Sequence, residues 1–480
     1  MSDIAVAELP LVDAGKALPG LAAPVRNVLL DHPILPTLLR LSWPNVVALS
    51  AASLVVIAET SYIGRLGTEA LAAMALVFPF VMLTMTMSGG AMGGGVSSAM
   101  ARALGAGDRD RASMLAAHAL LIGIFFGLIF TAGMLLFGPM LMAALGGRGS
   151  VLTQAIGYTT IFFGGGVIPW LMNTLASILR GTGNMKLPSV ITLNSAALQI
   201  ILGGVLGLGF GPIPSFGMPG VAAGSLIAYA VGIAIMGGYV FSGRARVRPR
   251  LGKAGIQRAM FFDILKVGVI ACFAPLQGVL SLAIFTHMLA RFGNEVLAGY
   301  GVGARLEYLL STMAFAVGIA AVPMVGMAIG AGRVARARRV AWTAASLAFT
   351  ALGLLGTLIA IYPDLWVSLF TSDAGVRAAS QQYLATAAPM YAFLGLATTM
   401  YFSAQGAARV LGPVLAQSAR LIFICIGGWY LVSIDATSQN FFRLTAASMV
   451  LLGVLSVLSV VLSNWGAKAG PVPRIRPTLS

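Results

Sequence analysis

Apolar runs of about twenty residues recur along almost the whole of this chain, separated by short stretches of glycine, proline and charge. A helix of that length matches the hydrocarbon thickness of a bilayer, and lipid offers no partner to an unpaired N–H or C=O, so each crossing segment must satisfy its own backbone. Helices do this alone. A membrane barrel needs short strands of alternating polarity, and no such series is present. With 58% hydrophobic and only 9% charged residues among 480, the chain falls outside the composition of soluble domains and reads as an all-α integral membrane protein.

Bounding the runs by glycine, proline or charge gives twelve transmembrane helices, at 41–63, 71–100, 113–137, 152–179, 188–208, 220–241, 261–289, 297–328, 337–361, 377–403, 411–432 and 442–464. With the amino terminus inside, 22 of the 30 Lys and Arg fall in inner segments and five in outer loops, while Lys266, Arg305 and Arg420 stay within spans. That bias places both termini in the cytoplasm of a cell-membrane protein. Residues 1–36 read as a mobile cytoplasmic tail without a signal peptide, and 466–480 as a second tail. The net charge of +16 is spread over short loops, which topology explains and nucleic-acid binding does not. Cys272 and Cys425 lie in apolar segments, and His32, His118 and His287 are scattered, so neither a disulfide framework nor a metal site is expected.

The chain repeats itself. GRLGTEALA from Gly64 matches ARFGNEVLA from Ala290 at a displacement of 226. LGAGDRDRA from Leu104 matches IGAGRVARA from Ile329, and RGTGNMKLP from Arg180 matches QGAARVLGP from Gln405, both at 225. The most basic segment, SGRARVRPRLGKAGIQR, sits near the midpoint. The expected organisation is therefore a first lobe at 37–241 (helices 1–6), a basic cytoplasmic linker at 242–260 and a second lobe at 261–465 (helices 7–12). An even number of spans per repeat relates the lobes by an axis along the membrane normal and leaves a central cavity between them.

Glu59, in IAETSYIGRLG, is the sharpest chemical signal. A charge at that depth costs about 3 kcal/mol on insertion scales, so it needs a cavity, a partner or a proton, and desolvation disfavours its charged form. Its partner at displacement 226 is Phe285, which confines the acid to the first lobe. Glu307 is a second intramembrane acid, able to bind a cationic substrate or coupling ion or to pair structurally with Arg305 or Arg420; Asp263 and Lys266 read as an interfacial i, i+3 pair. His118 and His287 are read first as packing residues, with proton relay as the alternative. The glycine-rich stretch 89–107 lacks the Gly-Lys-Ser/Thr ending of a phosphate loop and suits close helix approach. Pro44, Pro79, Pro169, Pro275, Pro323 and Pro389 interrupt helix bonding as bends or hinges, and Met82 and Met85 offer an adaptable wall for apolar substrates.

These residues resemble the multidrug and toxic compound extrusion (MATE) family. Its acid-Thr followed by Gly-Arg-Leu-Gly is met by Glu59, Thr60, Gly64, Arg65, Leu66 and Gly67; its Gly-Ala-Gly loop by Gly105, Ala106 and Gly107; its Arg-Gly-x-Gly loop by Arg180, Gly181, Thr182 and Gly183. The resemblance covers residues 37–465 and implies two pseudo-symmetric six-helix lobes in a V, exporting amphipathic, often cationic organic compounds in exchange for H⁺ or Na⁺. The acid usual in the first span is Asp rather than Glu. In the fifth span an Asn and Asp four residues apart are replaced by Gln199 and Gly203. Loss of that second carboxylate favours H⁺ over Na⁺, which prefers several hard oxygens. Glu59 is then the carrier, with Gln199, Asn194 and Tyr62 as hydrogen-bond partners; Glu59, Gln199 and Thr60 remain the ligands available to Na⁺. Glu307, Arg305, His287, Met82 and Met85 are candidates for a substrate or second ion site.

The expectation is a monomeric antiporter with no cofactor, its partners being small organic substrates, the coupling cation and the bilayer. A flippase for a lipid-linked saccharide or peptide is the alternative, and it calls for a strongly basic cavity. An intramembrane enzyme lacks paired acids or a Ser/Lys arrangement at shared depth, and a channel lacks rings of like residues.

Overall fold

A computed structural model describes residues 28–252 and 255–466. Twelve helical segments run through them. The first half holds α1 (Ile34–Arg65), α2 (Thr68–Gly105), α3 (Arg109–Ala144), α4 in two pieces (Gly149–Gly164 and Val167–Gly181), α5 (Lys186–Leu208) and α6 (Gly217–Phe241). The second holds α7 (Arg258–Phe292), α8 (Asn294–Gly330), α9 (Val334–Ile361), α10 in two pieces (Ala374–Ala387 and Tyr391–Gly406), α11 (Leu411–Ser433) and α12 (Ser438–Leu462).

Among the described residues, ten helices are long and apolar enough to cross a bilayer, and the two pieces of α4, bent by 47°, make an eleventh span. The segment expected at 377–403 does not pass that test. Its first piece is short and carries Arg377, Gln381 and Gln382, and a 3₁₀ turn at Ala388–Met390 around Pro389 separates it from the second. The break in α4 falls at Gly165 and Gly166, and a displacement of 225 carries Gly165 onto Met390, so both lobes interrupt this helix at the same place. Pro44, Pro79, Pro275 and Pro323 lie inside continuous helices.

The repeated loop motifs have a common backbone cause. Gly67 and Gly293 start α2 and α8 at φ 119° and 92°, and Gly107 and Gly332 follow the same helices at φ 79° and 73°, all in the region that a Cβ disfavours. Asp108 then caps α3, its Oδ1 accepting from the Arg111 N–H at 2.8 Å.

The lobes meet where α2 and α8 cross. A Cβ on Gly105 would strike the Met327 carbonyl, and one on Gly330 would strike the Arg102 carbonyl. A shift of 225 exchanges Gly105 with Gly330 and Arg102 with Met327, so this contact lies on the pseudo-twofold axis. Around it the apolar core is shared between lobes: Ala91–Ala103 packs with Ile264–Cys272 of α7, and Leu38 of α1 with Ala320–Ala328 of α8. Asp263 adds a polar clasp. Its carboxylate meets Arg102 at 2.9 Å and Arg111 at 3.0 Å across the lobes, as well as Lys266 at 2.6 Å. The expected pair with Lys266 is thus one arm of a four-residue network. Arg102 continues it to Ser98, whose hydroxyl donates to the Gln405 and Gly406 carbonyls of α10.

Two expected boundaries move. The tail drawn to residue 36 ends earlier: Val28–Asp31 is a helical turn, Leu29 is buried, Arg333 donates to the Leu30 carbonyl and pairs with Asp31, and Arg336 donates to the Leu29 and His32 carbonyls. α1 follows at Ile34. The linker, expected at 242–260, lies against α3: the Arg250 N–H donates to the Ser113 carbonyl at 3.3 Å, and the Gln257 N–H to His118 Nε2 at 2.9 Å. With Nδ1 bonded to the Met114 carbonyl at 2.8 Å and Phe261 edge-on to the ring, His118 is a packing residue. Lys16, Arg26, Lys253, Lys468, Arg474 and Arg476, with the bulk of both tails, lie outside the described residues.

Candidate functional site

Between the lobes, beyond the α2–α8 crossing, lies a cavity of about 300 Å³. The first lobe supplies most of its wall from α1, α2, α4, α5 and α6, and α8 supplies the facing side through Tyr308, Ser311, Thr312, Phe315 and Ile319. The lining is chiefly apolar and aromatic, and it includes Met82 and Met85. α2 changes to a π-helix over Thr86–Met92 as it passes the cavity, where Ser88 Oγ accepts from Asn173 Nδ2 at 2.8 Å.

Glu59 is the only acid lining this cavity among the described residues and is 6% exposed. Its Oε1 accepts from Gln199 Nε2 at 2.8 Å and lies 3.4 Å from the Ser225 hydroxyl; Gln199 Nε2 also reaches Ser225 Oγ at 3.1 Å. α1, α5 and α6 each give one member of this triad. Among the described residues no Lys, Arg or His lies within ion-pair distance of the carboxylate. Tyr158 and Tyr229 flank it from the cavity wall. Ser225 escaped the sequence reading because a hydroxyl in a run of small apolar residues carries no periodic signal.

Tyr62 is buried with its hydroxyl unpartnered, and the ring tip fills the space beside Gly203: a Cβ there would meet the phenol oxygen. The missing fifth-span acid is thus replaced in space by a tyrosine from α1. Three expected members of the coupling site are corrected: Tyr62 makes no hydrogen bond to Glu59, because its hydroxyl is directed at Gly203, and two more turn away. Thr60 is exposed, with its hydroxyl returned to the Val56 carbonyl at 2.7 Å, and Asn194 is exposed on α5. One residue along a helix turns the side chain by about 100°, so a neighbour in sequence to Glu59, or one five places from Gln199, faces elsewhere.

The second-lobe candidates do not join this cavity. Glu307 accepts from the Tyr383 hydroxyl at 3.1 Å and lies near Arg420 without a direct ion pair; Arg420 Nε donates to Ser448 Oγ at 3.3 Å. Arg305 is exposed, its guanidinium 5.3 Å from the Phe370 ring centre, so it does not pair with Glu307. His287 is exposed. The cavity's cation is instead Arg180, the only one lining it among the described residues, which the sequence reading had counted with the inner loops.

The MatE family model matches this chain twice, at residues 44–205 and 271–430, once in each half. Among curated proteins, the FAD transporter of Shewanella oneidensis is 26% identical over 402 residues, 84% of this chain and 88% of that protein. A protein of Thermotoga maritima named "Probable multidrug resistance protein NorM" is 27% identical over 365 residues, 75% and 77% of the two chains. In fold, a transporter of the MOP superfamily from Pyrococcus furiosus superposes with a TM-score of 0.83 at 22% identity, covering 92% of this chain and 96% of that one. The bent form of the Vibrio cholerae MATE transporter VcmN superposes at 0.81 and 21% identity, covering 89% and 96%. With both halves matched, and with the pseudo-symmetric lobes and central cavity in place, this multi-pass membrane protein belongs to the MatE family of small-molecule transporters.

Proposed function

We propose that the protein exports amphipathic organic molecules by alternating access, in exchange for H⁺ carried on Glu59. The carrying observation is a buried carboxylate on the wall of the central cavity with amide and hydroxyl partners and, among the described residues, no cation within ion-pair distance. A carboxylate with hydrogen-bond partners but no counter-charge can take up and release a proton as its surroundings change during the cycle. When the carboxylate is charged, the Gln199 N–H and Ser225 hydroxyl stabilise it; when it is protonated, the cavity loses its negative charge. A cationic aromatic substrate competes with the proton for the same carboxylate. Na⁺ is the weaker reading, because Gln199 turns a donor rather than an oxygen toward Glu59.

The positive-inside bias supports taking the crossing of α2 and α8, with Arg109, Arg111, Arg333 and Arg336 beside it, as the cytoplasmic end. On that reading the crossing of α2 and α8 stands between the cavity and the cytoplasm. A lipid-linked pyrophosphate carrier is disfavoured because one arginine alone lines the cavity among the described residues.

The test is export of ethidium from proteoliposomes driven by a pH gradient, with Na⁺ replaced by choline. Gradient-driven export is expected in wild type and absent in Glu59→Gln. Export by Glu59→Gln at the wild-type rate, or a strict need for Na⁺, overturns the reading.

A further inference from the structure

The coupling scheme leaves one buried charge unused. Arg180 is 9% exposed and lines both the main cavity and a small chamber of about 10 Å³ bounded by Gly89, Gly93, Gly94, Ser97 and Ser177. Its guanidinium makes no hydrogen bond or ion pair among the described residues, and its Nε is sealed from solvent without a partner. Among the described residues its remaining donors have no acceptor and are not sealed from the cavity, so the guanidinium stays open to whatever fills the cavity and is free to take an acceptor that enters it. The last-turn position gives Arg180 a weak helix-dipole benefit, but the side chain does not bond the terminal carbonyls.

A second unspent polar group packs against the same stretch of α2, although it lines neither cavity. The repeat register makes Gln405 the counterpart of Arg180, and both polar atoms of its amide are buried without partners. Two glycines of α2 make room for them: a Cβ on Gly93 would strike Ser177 Oγ, and one on Gly94 would overlap the Gln405 amide. Arginine presents a planar fork of N–H donors that matches two oxygens of one phosphate or carboxylate. We propose that Arg180 anchors an anionic group of the transported molecule, whose apolar aromatic body lies along Phe78, Met82, Met85, Tyr308 and Phe315. The inference rests on reading the cavity as the transport site and not on the identity of the coupling ion. It shifts the substrate class from simple cations to amphipathic compounds carrying a phosphate or carboxylate.

The experiment compares matched probes on purified full-length protein in nanodiscs by ligand fluorescence: riboflavin against flavin mononucleotide, and 1-pyrenebutanol against 1-pyrenebutyrate. In wild type the anionic member of a pair is expected to bind at least about tenfold more tightly, the scale of one charge-assisted contact. Arg180→Gln removes the preference and Arg180→Lys retains part of it, which separates loss of charge from loss of fold. Equal binding of both members, failure of both anions to bind, or an unchanged preference in Arg180→Gln overturns the proposal. Glu59→Gln keeps the anion preference if the two readings are independent. Proton-driven ethidium export with no anion preference defeats this inference alone, and an anion preference with normal export by Glu59→Gln defeats only the coupling scheme.

Discussion

Replacing Asp263 by Asn tests whether the clasp holds the lobes together. Among the described residues Asp263 is the only acid whose carboxylate forms ion pairs with Arg102, Arg111 and Lys266, and the first two reach it from the other lobe. At about 3 Å and an effective dielectric near 20, each pair gains roughly 5 kcal/mol before desolvation, which returns most of it. Removing one partner of a buried pair costs about 3–5 kcal/mol. The Arg111 side chain is 29% and that of Lys266 37% exposed, so water screens two of the three arms, and about 2–4 kcal/mol is the expected loss. At 1.4 kcal/mol per tenfold, the equilibrium between joined and parted ends moves about 30- to 700-fold toward parting. Spin labels at Ala106→Cys and Ala335→Cys, both exposed beside the crossing, report that distance by double electron–electron resonance once Cys272 and Cys425 are replaced by Ala. The Asp263→Asn variant should add a long-distance population that Asp263→Glu largely lacks. A distribution identical to wild type refutes the clasp, and so does parting that requires the protein to unfold.

Other outcomes follow from the same geometry. Gly105→Ala and Gly330→Ala place a methyl on facing backbone carbonyls, so each should cost about 1–3 kcal/mol and lower the thermal midpoint, whereas Gly133→Ala, with open space around it, should not. Gln199→Leu removes the donor 2.8 Å from Glu59, a contact of about 1.5–3 kcal/mol, and proton-driven efflux should fall at least tenfold while ethidium binding persists. Thr60→Val and Asn194→Ala face away from the site, and efflux within about twofold of wild type is expected; a tenfold loss in either would reinstate it as a partner.

What the sequence disclosed and what it hid follow from the same helix geometry. Repeated glycines are legible because a positive φ excludes other residues wherever the turn occurs, so Gly67 and Gly293, and Gly107 and Gly332, keep the register of the duplication. Glu59 is legible because charge in an apolar run is costly, and Gln199 because it falls at a fixed count from Gly209. Direction is another matter. Arg180 stands one residue from the end of α4 beside a loop motif, and a one-dimensional count assigns it to the loop. Helical side chains lean toward the N-terminus of their own helix, so a long side chain in a last turn reaches back into the bundle. The same rule places the Arg180 and Gln405 side chains at the depth of the bundle rather than in the loop, but which face each takes is visible only in the structure. Thr60 and Asn194 fail for the converse reason, having been chosen by nearness in sequence where the face of the helix decides.

The repeat then separates scaffold from chemistry. Displacement by 225 or 226 reproduces the crossing glycines and the interruptions of α4 and α10, but it turns Glu59 into Phe285 and Arg180 into Gln405. Features that both lobes need to pack against each other are duplicated; the two charges that face the cavity are not. A charge present in one lobe alone makes the lobes respond unequally when a proton or an anion occupies the cavity. A ligand can shift an equilibrium only through unequal affinity for its two states. In the proposed transport cycle that inequality originates in the first lobe, and α8 faces it across the cavity.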